Sequence, residues 1–263
     1  MPKNTTYQAR LPDASGHIPY DAGEDAVWRD LLARQLPAVR RHMASAYLDG
    51  LARLALPADR VAQCAEVSAT LRAATGWRVE PVPALIPFGR FFALLADQAF
   101  PAASFIRRRE HFDYIEEPDI FHEIFGHTPL LTDPRFAAFS QAIGRAGLAA
   151  DKADYAWLIR LYWFTIEFGL IREGGAIKGL GSGLASSVAE LDWATSGKPE
   201  LRPFDVLDIL RTPYRIDILQ PVYFVIGDLD ELFAAAGRDL LADVAQARKL
   251  GLHAPKFPAK AAG

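Results

Sequence analysis

A mostly α-helical chain folded as one domain, with a few short strands, is the architecture this sequence predicts. Three observations predict it. Apolar residues recur at helical spacing along most of the length, alternating segments are few and short, and no linker, internal repeat or low-complexity tract divides the chain. At 263 residues, with 51% hydrophobic and 23% charged residues, the chain carries apolar material for a core of ordinary size.

The elements follow in order. Residues 1–20 are polar and irregular and read as an arm. Trp28, Leu31 and Leu32 then open a helix, Pro37 punctuates it, and Met43, Tyr47, Leu51 and Leu54 mark one face of a second. Pro57 ends that helix. Asp59 caps a third through Val61, Cys64 and Leu71, stopped by Gly76. Residues 77–82 alternate as a short strand, and Pro81, Pro83 and Pro87 stiffen 82–88 into an extended loop. Helical patterns cover about 90–97, 119–125, 134–147 and 154–169. A loop with Gly174, Gly175, Gly179, Gly181 and Gly183 follows, then a short helix, strands at 214–218 and 222–226, and a helical end to about 250. Residues 251–263 read as a tail, which leaves 21–250 as the domain.

Composition narrows the function. A net charge of −3 without a basic stripe excludes nucleic acid as an expected partner. The single cysteine, Cys64, forms no intramolecular disulfide, which fits a reducing compartment. Met1 to Thr6 lack the apolar core of a signal peptide, and no run of about 18 apolar residues exists. A cytoplasmic protein with no membrane partner is expected. The glycine loop lacks the G-x-G-x-x-G spacing and a Walker lysine, so a loop folded close over a pocket is the better reading than a phosphate cradle.

The chemistry concentrates in Glu117-Pro118-Asp119-Ile120-Phe121-His122-Glu123-Ile124-Phe125-Gly126-His127. Two histidines stand five apart, one residue more than in the zincin H-E-x-x-H. On an α-helix, positions five apart diverge by roughly 140°, so His122 and His127 would not share a face unless Gly126 ends the helix. Spacing alone leaves two readings open, half a metal site or a helix C-terminus where the dipole favours His127. Further on, Glu167 is the one charge in Leu161-Tyr162-Trp163-Phe164-Thr165-Ile166-Glu167-Phe168-Gly169-Leu170. A buried carboxylate needs a cation, either an arginine or a metal. Two histidines and a carboxylate form the facial triad of non-haem iron(II) oxygenases. Zinc hydrolysis with Glu123 as base competes, although the extra residue argues against that geometry.

These segments, together with Gly181-Ser182-Gly183-Leu184-Ala185-Ser186-Ser187 and Gln220-Pro221-Val222-Tyr223-Phe224-Val225, resemble the pterin-dependent aromatic amino acid hydroxylases over roughly residues 20–250. The resemblance implies Fe(II) on His122, His127 and Glu167, with tetrahydropterin and O₂ as cosubstrates. It implies a pterin site from Val82, Ala84, Leu85, Ile86, Phe91, Glu123 and Tyr162. It implies Arg107 on the substrate carboxylate, although in Arg107-Arg108-Arg109 it reads by itself as part of a solvated run. Trp163, Phe168, Gly183 and Ser186 match positions around the substrate, and Ser186 one near the iron. Asp119 and Glu190 match residues that orient ligands. Trp163 and an apolar Ile216 lean toward L-phenylalanine as substrate, with tryptophan hydroxylation as the rival, and the resemblance implies para hydroxylation as the reaction. Leu180 departs from the family's usual tyrosine before Gly-x-Gly. With no preceding regulatory segment and no heptad helix after the domain, a monomer is expected, linked in function to separate pterin-recycling enzymes.

Overall fold

The computed structural model describes residues 7–83, 85–113, 115 and 117–257. Its outer shell starts with α1 (Ala22–His42), α2 (Ser45–Leu54) and α3 (Cys64–Thr75). Asp21 caps α1 in a complete capping box with Glu24, and Arg40, Arg41 and His42 complement the dipole at its other end. Trp28, Leu31, Leu32, Gln35 and Val39 form its buried face.

That face runs straight past Pro37, which lies inside α1 and does not end it. Burial of Gln35 and Val39 on either side outweighs the missing N–H. The expected cap at Asp59 is likewise replaced. Val61 N–H donates to Asp25 (2.9 Å), and the Gln63 amide exchanges hydrogen bonds with the backbone of Ile18. Tertiary partners thus consume the groups that would have opened the helix earlier, and α3 starts at Cys64 with Gln63 at its N-cap. Gly76, at φ +81°, ends α3 as expected.

β1 (Arg78–Val82) pairs in parallel with β2 (Ala99–Ala103) across α4 (Phe88–Ala96). No expectation covered β2. Its Ala-Phe-Pro-Ala-Ala has weak strand propensity, and Pro101 is tolerated because only one side of β2 carries a ladder. After α5 (Pro134–Ala149) and α6 (Tyr155–Tyr162) comes a four-stranded sheet in the order β4 (Ala176–Gly179), β3 (Leu170–Glu173), β6 (Val222–Ile226), β5 (Glu200–Pro203). β3 and β4 form a hairpin turned by Gly174 and Gly175, both at positive φ. The five-glycine stretch is therefore a hairpin leading into α7 (Ser182–Ala185), not one long loop.

Residues 214–218 form no strand. The Tyr214 ring stacks on Trp163 at 4.3 Å, and the Gln220 amide ties the carbonyls of Arg215 and Ile218 into a loop. The remaining helices, α8 (Val188–Thr195), α9 (Val206–Arg211), α10 (Leu229–Ala236) and α11 (Leu240–Leu250), each begin at a capping side chain: Ser187, Asp205, Asp228 and Asp239. The core runs continuously from Trp28 and Tyr47 through Phe121, Phe125 and Phe164 to Tyr223 and Phe224. Residues of the amino-terminal arm pack along 104–108: Tyr7 stacks on Phe105 at 4.6 Å, the Ser104 hydroxyl donates to the Arg10 carbonyl, and the Arg10 N–H donates to the Ser104 carbonyl.

Because α1 is continuous through a proline, Pro37→Ala restores a helical N–H at an exposed position. It is expected to raise unfolding stability by up to about 3 kcal/mol, read as a higher urea midpoint at unchanged slope.

Candidate active site

His122 and His127 sit together on one π-helical turn, His122–His127. In an i→i+5 turn, residues five apart stack on one face, so the extra residue in the motif is the spacing this turn requires. Gly126 does not end the helix. It lies in contact with α7, where an added Cβ would meet the Ser182 carbonyl at 2.9 Å. A π-turn also strands a carbonyl that an α-helix would satisfy. The buried Tyr47 hydroxyl donates to the Phe125 carbonyl and supplies a partner there.

Glu167 ends a second π-turn, Trp163–Glu167, which continues α6 without a break. The Phe168 N–H donates five residues back to the Trp163 carbonyl at 2.8 Å. Two π-turns thus aim three donor groups at one point. His122 Nε2 and His127 Nε2 are 3.1 Å apart, His127 Nε2 and Glu167 Oε1 are 3.1 Å apart, and His122 Nε2 lies 3.7 Å from Glu167 Oε2. Cis ligands at about 2.1 Å from a six-coordinate ion stand about 3 Å apart, so this spacing fits one divalent metal.

The hydrogen bonds set the tautomer that a metal needs. Ser186 Oγ donates to the Ser182 carbonyl (3.0 Å), so toward His122 Nδ1 (2.8 Å) it accepts. His122 then carries its proton on Nδ1 and turns the Nε2 lone pair to the cluster. Burial holds the His122 pKa down at about 4 against the pull of Glu167, so the ring is neutral at pH 7. Burial pushes Glu167 up, yet His127, His122 and the Ser182 hydroxyl outweigh it and hold its carboxyl at about 2. The ring of His127 is held between Phe100 (4.5 Å) and Tyr162 (6.1 Å).

Glu123 is a second carboxylate at this point, its ligand atom within 4.8 Å of both histidines. Glu167 is the better metal ligand of the two. It approaches both imidazoles, whereas Glu123 comes only to 4.0 Å from His127. Burial, and then the charge of Glu167, raise the Glu123 pKa well above the usual range. It is buried and not an exposed helix glutamate. The side chains of His122 and Glu167 keep 17% and 14% of their surface exposed against 3% for His127, so the cluster opens on the His122–Glu167 side.

The other expected residues distribute around it. Phe91 packs edge-on against Tyr162 at 5.2 Å, and the Tyr162 hydroxyl lies 3.4 Å from His127 Nδ1. Val82 is buried at the end of β1, Leu85 is exposed and Ile86 is half-buried, while Ala84 lies outside the described residues. Trp163 packs on Phe168 at 4.5 Å, and the Phe168 ring leaves no room for a Cβ on Gly183. Ile216 is 61% exposed and is no wall of a pocket. Glu190 does not orient a ligand of the cluster. It accepts from Gln220 N–H and the Tyr223 hydroxyl, and Gln220 Oε1 in turn accepts from Trp163 Nε1. Ser182, Tyr47 and Gln220 were not singled out from the sequence. For Ser182 and Gln220 the signal was a hydroxyl or amide inside a motif already marked, and for Tyr47 only its place on the buried face of α2.

Arg107 is buried, unlike its exposed neighbours Arg108 and Arg109. Its Nε and Nη2 grip both oxygens of Asp119 (2.7 and 2.8 Å), and Asp119 also accepts from the backbone N–H of Arg107 and His122. Burial raises the Asp119 pKa, but Arg107 outweighs burial and holds it below the usual carboxylate range. A cavity of about 820 Å³ opens between the arm, the start of α1 and residues 105–109. Arg10 and Arg109 beside it are paired with Asp21, Glu24 and Asp30. Asp119→Ala, which strands a buried guanidinium, is expected to cost about 3–5 kcal/mol in urea unfolding and to loosen His122.

A family model described as biopterin-dependent aromatic amino acid hydroxylase matches residues 3–241. The phenylalanine-4-hydroxylase of Pseudomonas aeruginosa is 51% identical over 260 residues, 99% of either chain. The apo structure of the cold-active phenylalanine hydroxylase of Colwellia psychrerythraea 34H superposes with a TM-score of 0.94 at 47% identity, covering 98% of this chain and 100% of that one. The Chromobacterium violaceum phenylalanine hydroxylase, in a structure with bound oxidized Fe(III), gives a TM-score of 0.87 at 37% identity over 93% and 89% of the two chains. With the matched region spanning both π-turns, the chain belongs to the biopterin-dependent aromatic amino acid hydroxylases.

Proposed function

We propose that this chain is a phenylalanine 4-monooxygenase, converting L-phenylalanine to L-tyrosine with O₂ and a tetrahydropterin at a non-haem Fe(II). The observation that carries the reading is the convergence of His122 Nε2, His127 Nε2 and the Glu167 carboxylate beside a buried arginine and an aromatic wall. The three side chains would hold the iron, and the exposed His122–Glu167 side leaves coordination positions open. When bound, iron, reduced pterin and O₂ together supply the oxidant, one oxygen atom going to the ring and the other to the pterin.

The protein's own residues bind, orient and exclude water. Asp119 occupies the Nε edge of Arg107, and the second edge of the guanidinium is left for the substrate carboxylate. Trp163, Phe168 and Tyr214 give the substrate ring an apolar wall, with Trp163 fixed through Gln220. Phe91 offers a ring face to the pterin. Glu123, buried beside the two histidines, would hydrogen-bond the pterin. Among the described residues no helix is long and apolar enough to cross a membrane. A cytoplasmic monomer whose pterin product is regenerated by separate enzymes completes the proposal.

An aerobic reaction with Fe(II), tetrahydropterin and L-phenylalanine is expected to yield para-tyrosine only when all three are present, resolved chromatographically against the tyrosine isomers. The absence of product, with tryptophan hydroxylated in its place, would overturn the substrate assignment. Arg107→Ala is expected to raise the KM for phenylalanine at least about tenfold, as for the loss of a charged hydrogen-bonding partner, with the pterin KM little changed. Equal effects on both would remove Arg107 from the substrate carboxylate.

A further inference from the structure

Glu167 stands among Trp163, Phe164, Ile166 and Phe168, which give its carboxylate no donor. Among the described residues its hydrogen-bonding partners are His127 and the Ser182 hydroxyl. Ser182 Oγ lies 2.8 Å from Glu167 Oε2 and 3.2 Å from the Ile166 carbonyl. Ser182 is 1% exposed at the start of α7, so water does not replace this contact. The same residue also reaches the opposite side of the cluster. Its carbonyl accepts from Ser186 Oγ (3.0 Å), whose lone pair takes the Nδ1 proton of His122 (2.8 Å). One residue thus touches the carboxylate with its side chain and, through one hydroxyl, an imidazole with its main chain.

Two close backbone approaches hold it there. A Cβ on Gly126 would meet the Ser182 carbonyl at 2.9 Å and the Ser182 Cβ at 3.2 Å. A Cβ on Gly181 would sit 2.1 Å from the Glu167 carbonyl. Both glycines bring α7 against the two π-turns, and of the two acceptors in reach the Ser182 hydroxyl lies nearer Glu167 Oε2 (2.8 Å) than the Ile166 carbonyl (3.2 Å). A carboxylate that swings freely about its last torsion presents its oxygens to a metal only part of the time. A hydroxyl that takes one lone pair of Oε2 fixes the carboxylate plane and leaves the remaining lone pairs to the ion.

We propose that Ser182 is a positioning residue for metal binding, its hydroxyl locking the Glu167 carboxylate in the plane that faces His122 and His127. This rests on Glu167 being a metal ligand, and the test separates the two. The full-length chain, freed of metal, is titrated with Co(II) alone and followed by its visible absorption, for the unaltered protein, Ser182→Ala, Ser182→Thr and Glu167→Ala. The expected result is a Co(II) Kd raised about tenfold or more in Ser182→Ala, with a shifted absorption band and an unchanged thermal midpoint for the metal-free chain. Ser182→Thr, which returns the hydroxyl, recovers most of the affinity. An unchanged Kd and band in Ser182→Ala, beside a weakened Glu167→Ala, overturns the role of Ser182 and leaves the site standing. A lowered metal-free midpoint with unchanged Kd marks Ser182 as a packing residue and equally overturns it. Unchanged binding in Glu167→Ala overturns the ligand assignment beneath both.

Discussion

An ionised carboxylate does not stay in an aromatic interior unless positive charge or donors meet it. Glu167 is the place where this constraint governs the fold. Its neighbours along the chain are tryptophan, phenylalanine and isoleucine, so compensation must come from distant sequence: His127 and His122 some forty residues earlier, and Ser182 fifteen later. To bring these together, α6 must pass into a π-turn, residues 122–127 must form another, and α7 must press against both. The sheet and the outer helices hold those segments in place. Removal of Glu167 would leave two imidazoles and a hydroxyl gathered around nothing.

Asp119 does for the protein frame what Glu167 does for the metal. Its two oxygens accept four hydrogen bonds, three from Arg107 and one from the backbone of His122. The segment after β2 is thereby bolted to the helix that bears the first histidine. The same contact orients Arg107, so the proposed hold on the substrate carboxylate and the position of the metal share one support. Trp163 is fixed separately, by the route Glu190 to Gln220 to its indole N–H. Metal side and ring side are thus braced by different carboxylates. A substitution at Glu190 is a change to the ring wall and not to the metal.

Much of this was legible in the residues. The helical fold class, the motif with the two histidines and the buried glutamate with its apolar neighbours are all local patterns, and local patterns survive in a single sequence. What escaped depended on distant partners. Pro37 signals a break, but burial of Gln35 and Val39 carries α1 through it. Asp59 signals a cap, but Asp25 and Ile18 claim the groups that a cap needs. β2 has almost no strand propensity and exists because β1 lies beside it. The strand pattern at 214–218 was genuine alternation, overridden by the stacking of Tyr214 on Trp163. The five-residue spacing of the histidines suggests a glycine stop, but Gly126 lies inside the π-turn and makes room for α7. A π-turn has no composition of its own, and only the demand that both rings face one point reveals it.

That turn has a consequence for how the motif tolerates insertion and deletion. Loss of any one residue from 123–126 leaves H-x₃-H, whose two histidines an ordinary α-turn would align again. The loss would also rotate everything before it by about 100° relative to everything after. His122 would part from Ser186, and Asp119 from Arg107, although the pair of imidazoles survived. The reading frame of this site is therefore kept by its surroundings and not by its ligands. In the lineage of such a chain, a single-codon slip here would convert one kind of metal motif into the outline of another while cutting it loose from the residues that make it work.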